Sequence, residues 1–311
     1  GLRATPGQTL SRVRAAGFDG LECSLRDLGD TQDKRAALVV AVRDEGLALG
    51  LSAYSSWPDY EGPADEQLGK SADEQLAALT HELEQIAELC ARAGRLSPIE
   101  RINVHSGSDA WGEDLSVDFL ARAVAATSQL GGLPPASHET HRGRILCCPF
   151  ITARVLGRVP DLRLTSDFSH WVVKTERMLD TAAEAELLRR VVAPAVDHVH
   201  ARIGTPQSPQ VASVRPDALT RAAAERFYLW WEDVWAAQLA GSPGACCTAT
   251  IEYGPPELHP DTGGVLPGSY TPLDLGGEPV GGAALDETIG AAAAALRRRF
   301  DAWHARIALA R

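Results

Sequence analysis

Four short apolar runs in this chain end in an acidic residue or a histidine, and they constrain its fold more than any other feature. The clearest run extends from Leu164 to Trp171 and is predicted to be extended, because apolar and small residues alternate up to Asp167. Parallel α/β enzymes carry their reactive side chains at the carboxyl ends of such strands. The four runs deliver, in chain order, Glu139, Asp167, His200 and Glu252.

Strands and helices alternate along the whole chain. Strand-like runs are centred near residues 21, 49, 103, 136, 164, 199 and 250, and the later ones are predicted over 133–139, 162–167, 197–203 and 247–253. The predicted helices include 71–93, 150–157, 175–192, 216–240 and 285–309. This alternation predicts right-handed crossovers and a parallel sheet.

The fold class expected from this alternation is α/β, a (β/α)8 TIM barrel. A length of 311 residues suits such a barrel as a single domain over residues 1–311. A closed barrel needs eight strands, so either residues 1–5 form a short first strand or a segment precedes Gly1. Pro- and Gly-rich stretches predict long loops at 204–216 and 254–282, after the seventh and eighth strands of the barrel.

The charge balance excludes some partners. With 41 acidic and 30 basic residues, the chain has a formal net charge of -11 and is repelled by nucleic acid and by anionic membranes. It has no apolar run of about 18 residues, and residues 1–8 lack the charged-then-apolar order of a signal peptide. We therefore expect a cytoplasmic protein that binds a small molecule and neither nucleic acid nor membrane.

The six cysteines are expected to be buried, reduced thiols. Four of them form two adjacent pairs, at 147–148 and at 246–247. This spacing matches neither a disulfide framework nor a zinc ribbon. Disulfides that link the two adjacent pairs are the alternative.

Three carboxylates and one imidazole at a single barrel mouth favour a bound cation. Each residue alone is as readily a helix cap or an ion-pair partner, but the carboxyl ends of barrel strands surround one mouth. At an effective dielectric near 20, two carboxylates about 4 Å apart repel by about 4 kcal/mol. A divalent cation removes this repulsion, and oxygen and imidazole ligands suit it.

The strand ends resemble those of the xylose isomerase-like TIM-barrel superfamily, which includes tagatose and psicose 3-epimerases, hydroxypyruvate isomerase, inosose dehydratase and endonuclease IV. The matching segments are Gly17–Glu22, Asn103–His105, His138–Glu139, Asp167–His170, His198–Arg202 and Ile251–Glu252. The resemblance implies one divalent metal ion (Mn, Mg, Co or Zn) with Glu139, Asp167, His200 and Glu252 as ligands. In the epimerases, the two glutamates also face each other across the substrate and move protons.

The function implied by this resemblance is that of a metal-dependent isomerase or epimerase of carbohydrate metabolism. It would act on a small sugar or polyhydroxy ketone through a metal-stabilised enediolate, with Glu139 and Glu252 as the catalytic residues. Two alternatives stay open: a metal-dependent dehydratase or lyase of the inosose dehydratase type, and a catalytically silent metal-binding barrel. An endonuclease is not expected, because Gly204–Gln210 lacks the Asp-x-His pair of endonuclease IV and Tyr54 stands where that enzyme has a histidine.

Several further residues are expected to contact the substrate. His170 matches the superfamily position that binds or polarises a substrate oxygen, with a structural hydrogen bond as the alternative. Arg202, two residues after His200, is expected on the same side of the strand as an anion clamp, with an ion pair to a barrel carboxylate as the alternative. His105 is expected to contact the substrate, with a core histidine as the alternative. His141, Arg142 and Arg144 would suit a carboxylate or phosphate of the substrate, with a solvated loop as the alternative. Trp57, Trp111 and Trp171 each follow a strand end and would form an apolar wall against a sugar ring, with the packing of a lid as the alternative. A homodimer through the Trp-rich helix at 216–240 is expected if its rings are exposed.

Overall fold

The computed structural model describes residues 6–56, 70–211, 218–254 and 285–309. In this part of the chain, seven strands follow one another in the sheet in chain order. The strands are β1 (Gly20–Ser24), β2 (Ala48–Tyr54), β3 (Ile99–His105), β4 (Ala136–Glu139), β5 (Leu164–Ser166), β6 (Val196–His200) and β7 (Thr248–Thr250). The pairings β1–β2, β2–β3, β3–β4, β4–β5 and β6–β7 are all parallel.

Helices separate the strands, as the sequence predicts. They are α1 (Pro6–Ala15), α2 (Leu25–Leu28), α3 (Gln32–Asp44), α4 (Ala72–Ala93), α5 (Glu113–Gln129), α6 (Pro149–Leu156), α7 (Phe168–Thr175), α8 (Ala182–Leu187), α9 (Ala218–Gly241) and α10 (Leu285–Leu309). This topology confirms the α/β TIM-barrel class, with one strand fewer than eight among the described residues. Residues 1–5 lie outside the described residues, as do residues 212–216 of the first predicted loop and residues 255–282 of the second.

The chain divides into two compact units, which are described separately. The first unit comprises Gly1–Leu146 and Arg154–Thr165, and the second comprises Cys147–Ala153 and Ser166–Arg311. In the first unit, the strand register places Tyr54 beside His105 and Glu139 beside Thr165. In the second unit, it places His200 beside Thr250.

Helix α4 shows how the first unit is packed. Its apolar residues recur at steps of three and four, and Leu79, Leu83, Ile86 and Leu89 form a buried apolar stripe along one face. A capping box begins the helix, since the Ser71 hydroxyl accepts from the Glu74 N–H while the Glu74 carboxylate accepts from the Ser71 N–H. Each fully buried Leu or Ile contributes about 1.5–3 kcal/mol relative to an exposed one.

The aromatic residues of α9 form the core of the second unit. Phe227, Trp230, Trp231 and Trp235 are all buried. The Trp230 ring packs 5.4 Å from that of Phe168, and the Trp235 ring packs 5.0 Å from that of Phe300 in α10, centroid to centroid. The rings therefore form a packed helix face. They lack the exposure on which the predicted dimer depends.

The predicted bounds around β5 need correction. The run from Leu164 to Trp171 is extended only to Ser166, and α7 begins at Phe168, directly after its N-cap Asp167. The predicted helix at 175–192 is instead α8 followed by a π-helical turn over Leu188–Val192. Thr181 begins α8 with a capping box to Glu184, which explains why the helix begins seven residues later than predicted.

Three other strands, β4, β6 and β7, are shorter than predicted. The sequence predicts them over 133–139, 197–203 and 247–253. Arg202 and Glu252 therefore lie in the segments that follow β6 and β7, and not in strands. The cysteine prediction is correct about the free thiols but wrong about burial: all six are free, Cys147 alone is buried, and Cys246 is exposed. Among the described residues, no helix has the length and apolar character needed to cross a lipid bilayer.

His138 in β4 is expected to make folding depend on pH. Its side chain is 2% exposed, and burial lowers the pKa of the imidazole from 6.5 to about 4. The neutral ring therefore stabilises the fold above pH 6.5, and this contribution is lost as the pH falls toward 4. At about 1.4 kcal/mol per pKa unit, the loss is about 3 kcal/mol.

Urea unfolding of the wild type and of a His138→Gln variant between pH 7 and pH 4 measures this effect. We expect the stability difference between the two proteins to change with pH by about 3 kcal/mol, with the wild type losing more. A constant difference across this range would contradict the prediction.

Candidate metal centre

Three of the four predicted metal ligands lie in the second unit, each just after or at the end of a strand. Asp167 follows β5 and is 0% exposed, and its carboxylate caps α7 by accepting from the Ser169 N–H at 2.9 Å. His200 ends β6, and Glu252 follows β7 by two residues. The His200 Nδ1 atom lies 2.8 Å from Glu252 Oε2, so an imidazole and a carboxylate meet at the carboxyl ends of neighbouring strands.

Arg202 connects the two carboxylates of this cluster. Its guanidinium, 1% exposed, pairs through Nη2 with Asp167 Oδ2 and through Nη1 with Glu252 Oε1 at 2.9 Å. Its Nε donates to Ser169 Oγ at 3.0 Å, and that hydroxyl donates to Asp167 Oδ1 at 2.6 Å. Arg202 thus makes the ion pairs that the sequence left open as an alternative, and its role as a substrate contact stays a prediction.

His170 belongs to the same network. It is 0% exposed in the first turn of α7, and its Nε2 atom lies 2.7 Å from Arg202 Nη2. Because a guanidinium can only donate, Nε2 accepts this hydrogen bond. His170 therefore makes the structural hydrogen bond that the sequence left open as an alternative, and its role as a substrate contact stays a prediction.

The pKa of Asp167 reflects two opposing influences. Burial raises the pKa of this carboxyl above its ordinary value, and the adjacent Arg202 guanidinium lowers it again. Burial is the larger of the two influences. The Arg202 guanidinium therefore favours the ionised form of a carboxyl group whose ionisation burial disfavours.

Glu139, the fourth predicted ligand, lies in the first unit at the end of β4. Its side chain is 2% exposed, and its Oε2 atom accepts a 2.6 Å hydrogen bond from Asn103 Nδ2. The Nε2 atom of His105 lies 3.1 Å from the same oxygen. The Tyr54 ring stacks on the His105 ring at 4.6 Å between centroids, so β2, β3 and β4 all contribute to the position of these groups.

The segment after β4 holds His141 and Arg144, which are both buried rather than solvated. The His141 Nδ1 atom bonds the Arg142 carbonyl oxygen. Arg144 donates to Ser56 Oγ and to the Ser56 carbonyl, both at 3.0 Å, and to the Gly107 carbonyl at 3.3 Å. The guanidinium of Arg144 thereby ties together the segments that follow β2, β3 and β4.

Gly107 is required at its position in this arrangement. Its φ of +60° lies in the left-handed region, and a Cβ atom there would be 2.5 Å from Ile145 Cδ1 and 2.7 Å from the Trp111 ring. Trp111 is half-buried and also packs on Phe119 at 5.2 Å between centroids. Trp171 is 0% exposed in α7, so it packs the helix and forms no wall of a pocket, and Trp57 lies outside the described residues.

Two site residues were not predicted from the sequence. Ser169 connects Asp167 to Arg202, and Asn103 orients Glu139. The signal for Asn103 was present, because it precedes His105 by two residues and so shares its face of β3. The signal for Ser169 was its position two residues after an acidic N-cap.

The donor atoms of these clusters fit a divalent cation. Two ligand atoms about 2.1 Å from one octahedral ion, at a right angle to each other, lie about 3 Å apart. The 2.8 Å between His200 Nδ1 and Glu252 Oε2 is close to that separation. Carboxylate oxygen and imidazole nitrogen are the ligands that Mn, Mg, Co and Zn accept in proteins.

Comparison with known proteins defines the fold. No family model matches the chain, and no curated protein matches its sequence. A structure of L-ribulose 3-epimerase matches with a TM-score of 0.61 and 15% identity, over 98% of this chain and 92% of that one. D-Psicose 3-epimerase with D-tagatose from Clostridium cellulolyticum H10 matches with a TM-score of 0.57 and 14% identity, over 95% and 94% of the two chains.

A fusion protein of a xylose isomerase-like TIM barrel with a 4-hydroxyphenylpyruvate dioxygenase also matches, with a TM-score of 0.50 and 17% identity. The match covers 80% of this chain and 36% of that one. The chain therefore has the xylose isomerase-like TIM-barrel fold, and the predicted resemblance is confirmed at the level of the fold.

Proposed function

We propose that this protein is a divalent-metal-dependent isomerase or epimerase of a small sugar or polyhydroxy ketone. The observation that carries the proposal is the cluster in the second unit, where Glu252 contacts both His200 and Arg202, and Arg202 in turn holds Asp167. The fold supports it as well, because two of the similar structures are named as ketose 3-epimerases, of L-ribulose and of D-psicose.

The proposed metal ligands are Glu139, Asp167, His200 and Glu252. All four stand at or just after the carboxyl end of a strand, and in a barrel these ends surround the site of catalysis. Mn, Mg, Co and Zn all suit this ligand set. When bound, such an ion supplies positive charge that stabilises an enediolate.

Proton transfer is the proposed role of the two glutamates. One of them removes the proton from the carbon next to the carbonyl group, and the other returns a proton on the opposite face. Glu252 is suited to contact a substrate, because its side chain is 34% exposed while its Oε1 atom pairs with Arg202 and its Oε2 atom lies 2.8 Å from His200 Nδ1. Glu139 is held by Asn103.

The remaining proposed substrate contacts are His170, Arg202, His105, His141, Trp57 and Trp111. Arg202 has the geometry of an anion-orienting group, since its guanidinium already holds two carboxylates. In the proposed reaction, it keeps Glu252 in place beside the substrate.

Metal analysis followed by proton exchange tests this proposal. We expect about one equivalent of metal bound through the proposed ligands, and we expect Asp167→Asn and His200→Gln to weaken its binding. Metal-loaded protein incubated in deuterated water with L-ribulose, D-psicose, D-tagatose or D-fructose is expected to incorporate deuterium at the carbon next to the carbonyl, as seen by NMR.

Three outcomes distinguish the proposal from its rivals. Loss of water from an inosose or a related substrate, without epimerised product, would make the protein a dehydratase. Metal binding without exchange in any ketose or inosose would make it a silent metal-binding barrel. Unchanged metal binding in both variants would contradict the proposed centre.

A further inference from the structure

We infer that His105, Glu139 and His141 form a second divalent-cation site, of the zinc type, within the first unit. The ligand atoms of these three side chains all lie within 4.8 Å of one another, and all three side chains are buried. Two imidazoles and one carboxylate form a ligand set that selects zinc or cobalt more than magnesium. The site goes beyond the proposed function and shares one residue, Glu139, with its metal centre.

The state of His141 favours metal binding. Its Nδ1 atom bonds the Arg142 carbonyl oxygen, and a carbonyl oxygen can only accept, so Nδ1 carries the proton. In a neutral ring, Nε2 is then the unprotonated nitrogen, which is the form that binds a metal. Metal-binding histidines are commonly oriented by a hydrogen bond of this kind, from the other ring nitrogen to a carbonyl oxygen.

His105 presents its Nε2 atom toward the same point. This nitrogen lies 3.1 Å from Glu139 Oε2 and 3.4 Å from Asn103 Nδ2. A ring nitrogen and a carboxylate oxygen at 3.1 Å are joined either by a hydrogen bond from the ring N–H or by a metal ion that both bind. With ligand bonds of about 2.0–2.2 Å, the ligand atoms of a tetrahedral zinc ion lie about 3.3–3.6 Å apart. The three groups, whose ligand atoms lie within 4.8 Å of one another, move closer together to surround one ion.

The neighbours of the cluster hold the ligands in place. Asn103 is 1% exposed and donates to Glu139 Oε2 at 2.6 Å, while the stacked Tyr54 ring fixes the plane of His105. The Oδ1 atom of Asn103 has no hydrogen-bond partner among the described residues. Outer groups that orient ligands in this way are typical of metal centres, and they distinguish this cluster from a chance meeting of histidines.

The assignment adds a role to two histidines. His105 and His141, which are proposed above as substrate contacts, hold a cation in this site. Glu139 is then a proposed ligand of both metal sites.

Titration of the metal-free protein with Co²⁺ or Zn²⁺ tests the second site. We expect the wild type to bind two equivalents, with the visible absorbance that Co²⁺ shows when bound by nitrogen and oxygen ligands. His141→Gln is expected to bind one equivalent. Asn103→Ala is expected to lower the affinity for the second equivalent by about 10–100-fold. His81→Gln, which changes an exposed histidine of the same unit, is the matched control and keeps both equivalents.

The Asp167→Asn variant separates this site from the proposed catalytic centre. We expect it to keep the equivalent that His141→Gln loses, because Asp167 is not among the ligands of the second site. A single equivalent in the wild type that a folded His141→Gln variant keeps, or two equivalents in that variant, would overturn the second site. A single equivalent that His141→Gln loses and Asp167→Asn keeps would instead contradict the proposed catalytic centre. Far-ultraviolet circular dichroism shows whether the His141→Gln variant folds. If it does not fold, the Asn103→Ala titration is the test, and unweakened binding of the second equivalent by Asn103→Ala would overturn the site.

Discussion

A Glu252→Gln substitution is expected to slow proton exchange between substrate and solvent by on the order of 10²–10⁴-fold, the contribution usual for a general base. Glutamine keeps the size of the side chain but cannot take up the proton. It also removes a negative charge that faces His200 at 2.8 Å and Arg202 at 2.9 Å. The measurement is deuterium incorporation into a ketose by NMR, with metal supplied in excess so that weaker metal binding does not limit the rate.

The same change at Glu139 is expected to have an effect of similar size, because the proposed reaction needs one glutamate on each face of the substrate. Glu100→Gln is the matched control, since Glu100 is an exposed residue in β3, in the same unit as Glu139. We expect this control to retain the wild-type rate. Exchange in Glu252→Gln within a few-fold of the wild type would remove Glu252 from the chemistry.

An Arg202→Met substitution is expected to destabilise the fold by about 3–5 kcal/mol. The change leaves the buried Asp167 carboxylate without the guanidinium that balances its charge, and an uncompensated buried charge has a cost of this size. Methionine keeps much of the aliphatic volume, so the loss is chiefly electrostatic. Urea unfolding at pH 7 in the absence of added metal measures it.

Two comparisons make this second prediction specific. Arg306→Met removes an arginine whose side chain is 58% exposed and which pairs with Glu232, and such a surface pair is worth about 0–1 kcal/mol. The double variant Arg202→Met with Asp167→Asn is expected to be more stable than Arg202→Met alone, because it no longer buries an unpaired charge. Equal destabilisation by Arg202→Met and Arg306→Met would mean that the Asp167 pair contributes nothing beyond a surface pair.

Much of the fold could be predicted because the strands and long helices have regular patterns. The stripe on α4 and the run of strand ends followed from periodicity alone, and the resemblance at these ends identified the fold. The segment after Asp167 could not be predicted in this way. Phe168 and Trp171 lie three residues apart and are both buried, so they fit one face of a helix as well as the predicted extended run, and a few residues are too short a window to distinguish the two periods.

The partners of the site residues were harder to predict than the residues themselves. Strand-end positions follow from topology, so Glu139, Asp167, His200 and Glu252 could be proposed from the sequence. The contacts of Arg202 could not be derived, because β6 ends at His200 and the direction of Arg202 depends on the turn that follows. The strand alternation on which the substrate-contact prediction rested no longer applies at that position.

The guanidinium of Arg144 has a consequence for how the loops of this barrel can be exchanged. Because it bonds Ser56 after β2 and Gly107 after β3 from its own position after β4, three consecutive loops share one buried anchor. A loop transplanted alone from a protein with another specificity would break bonds made by the other two. These three loops therefore form one structural unit. We expect loop grafting to succeed when all three loops are exchanged together.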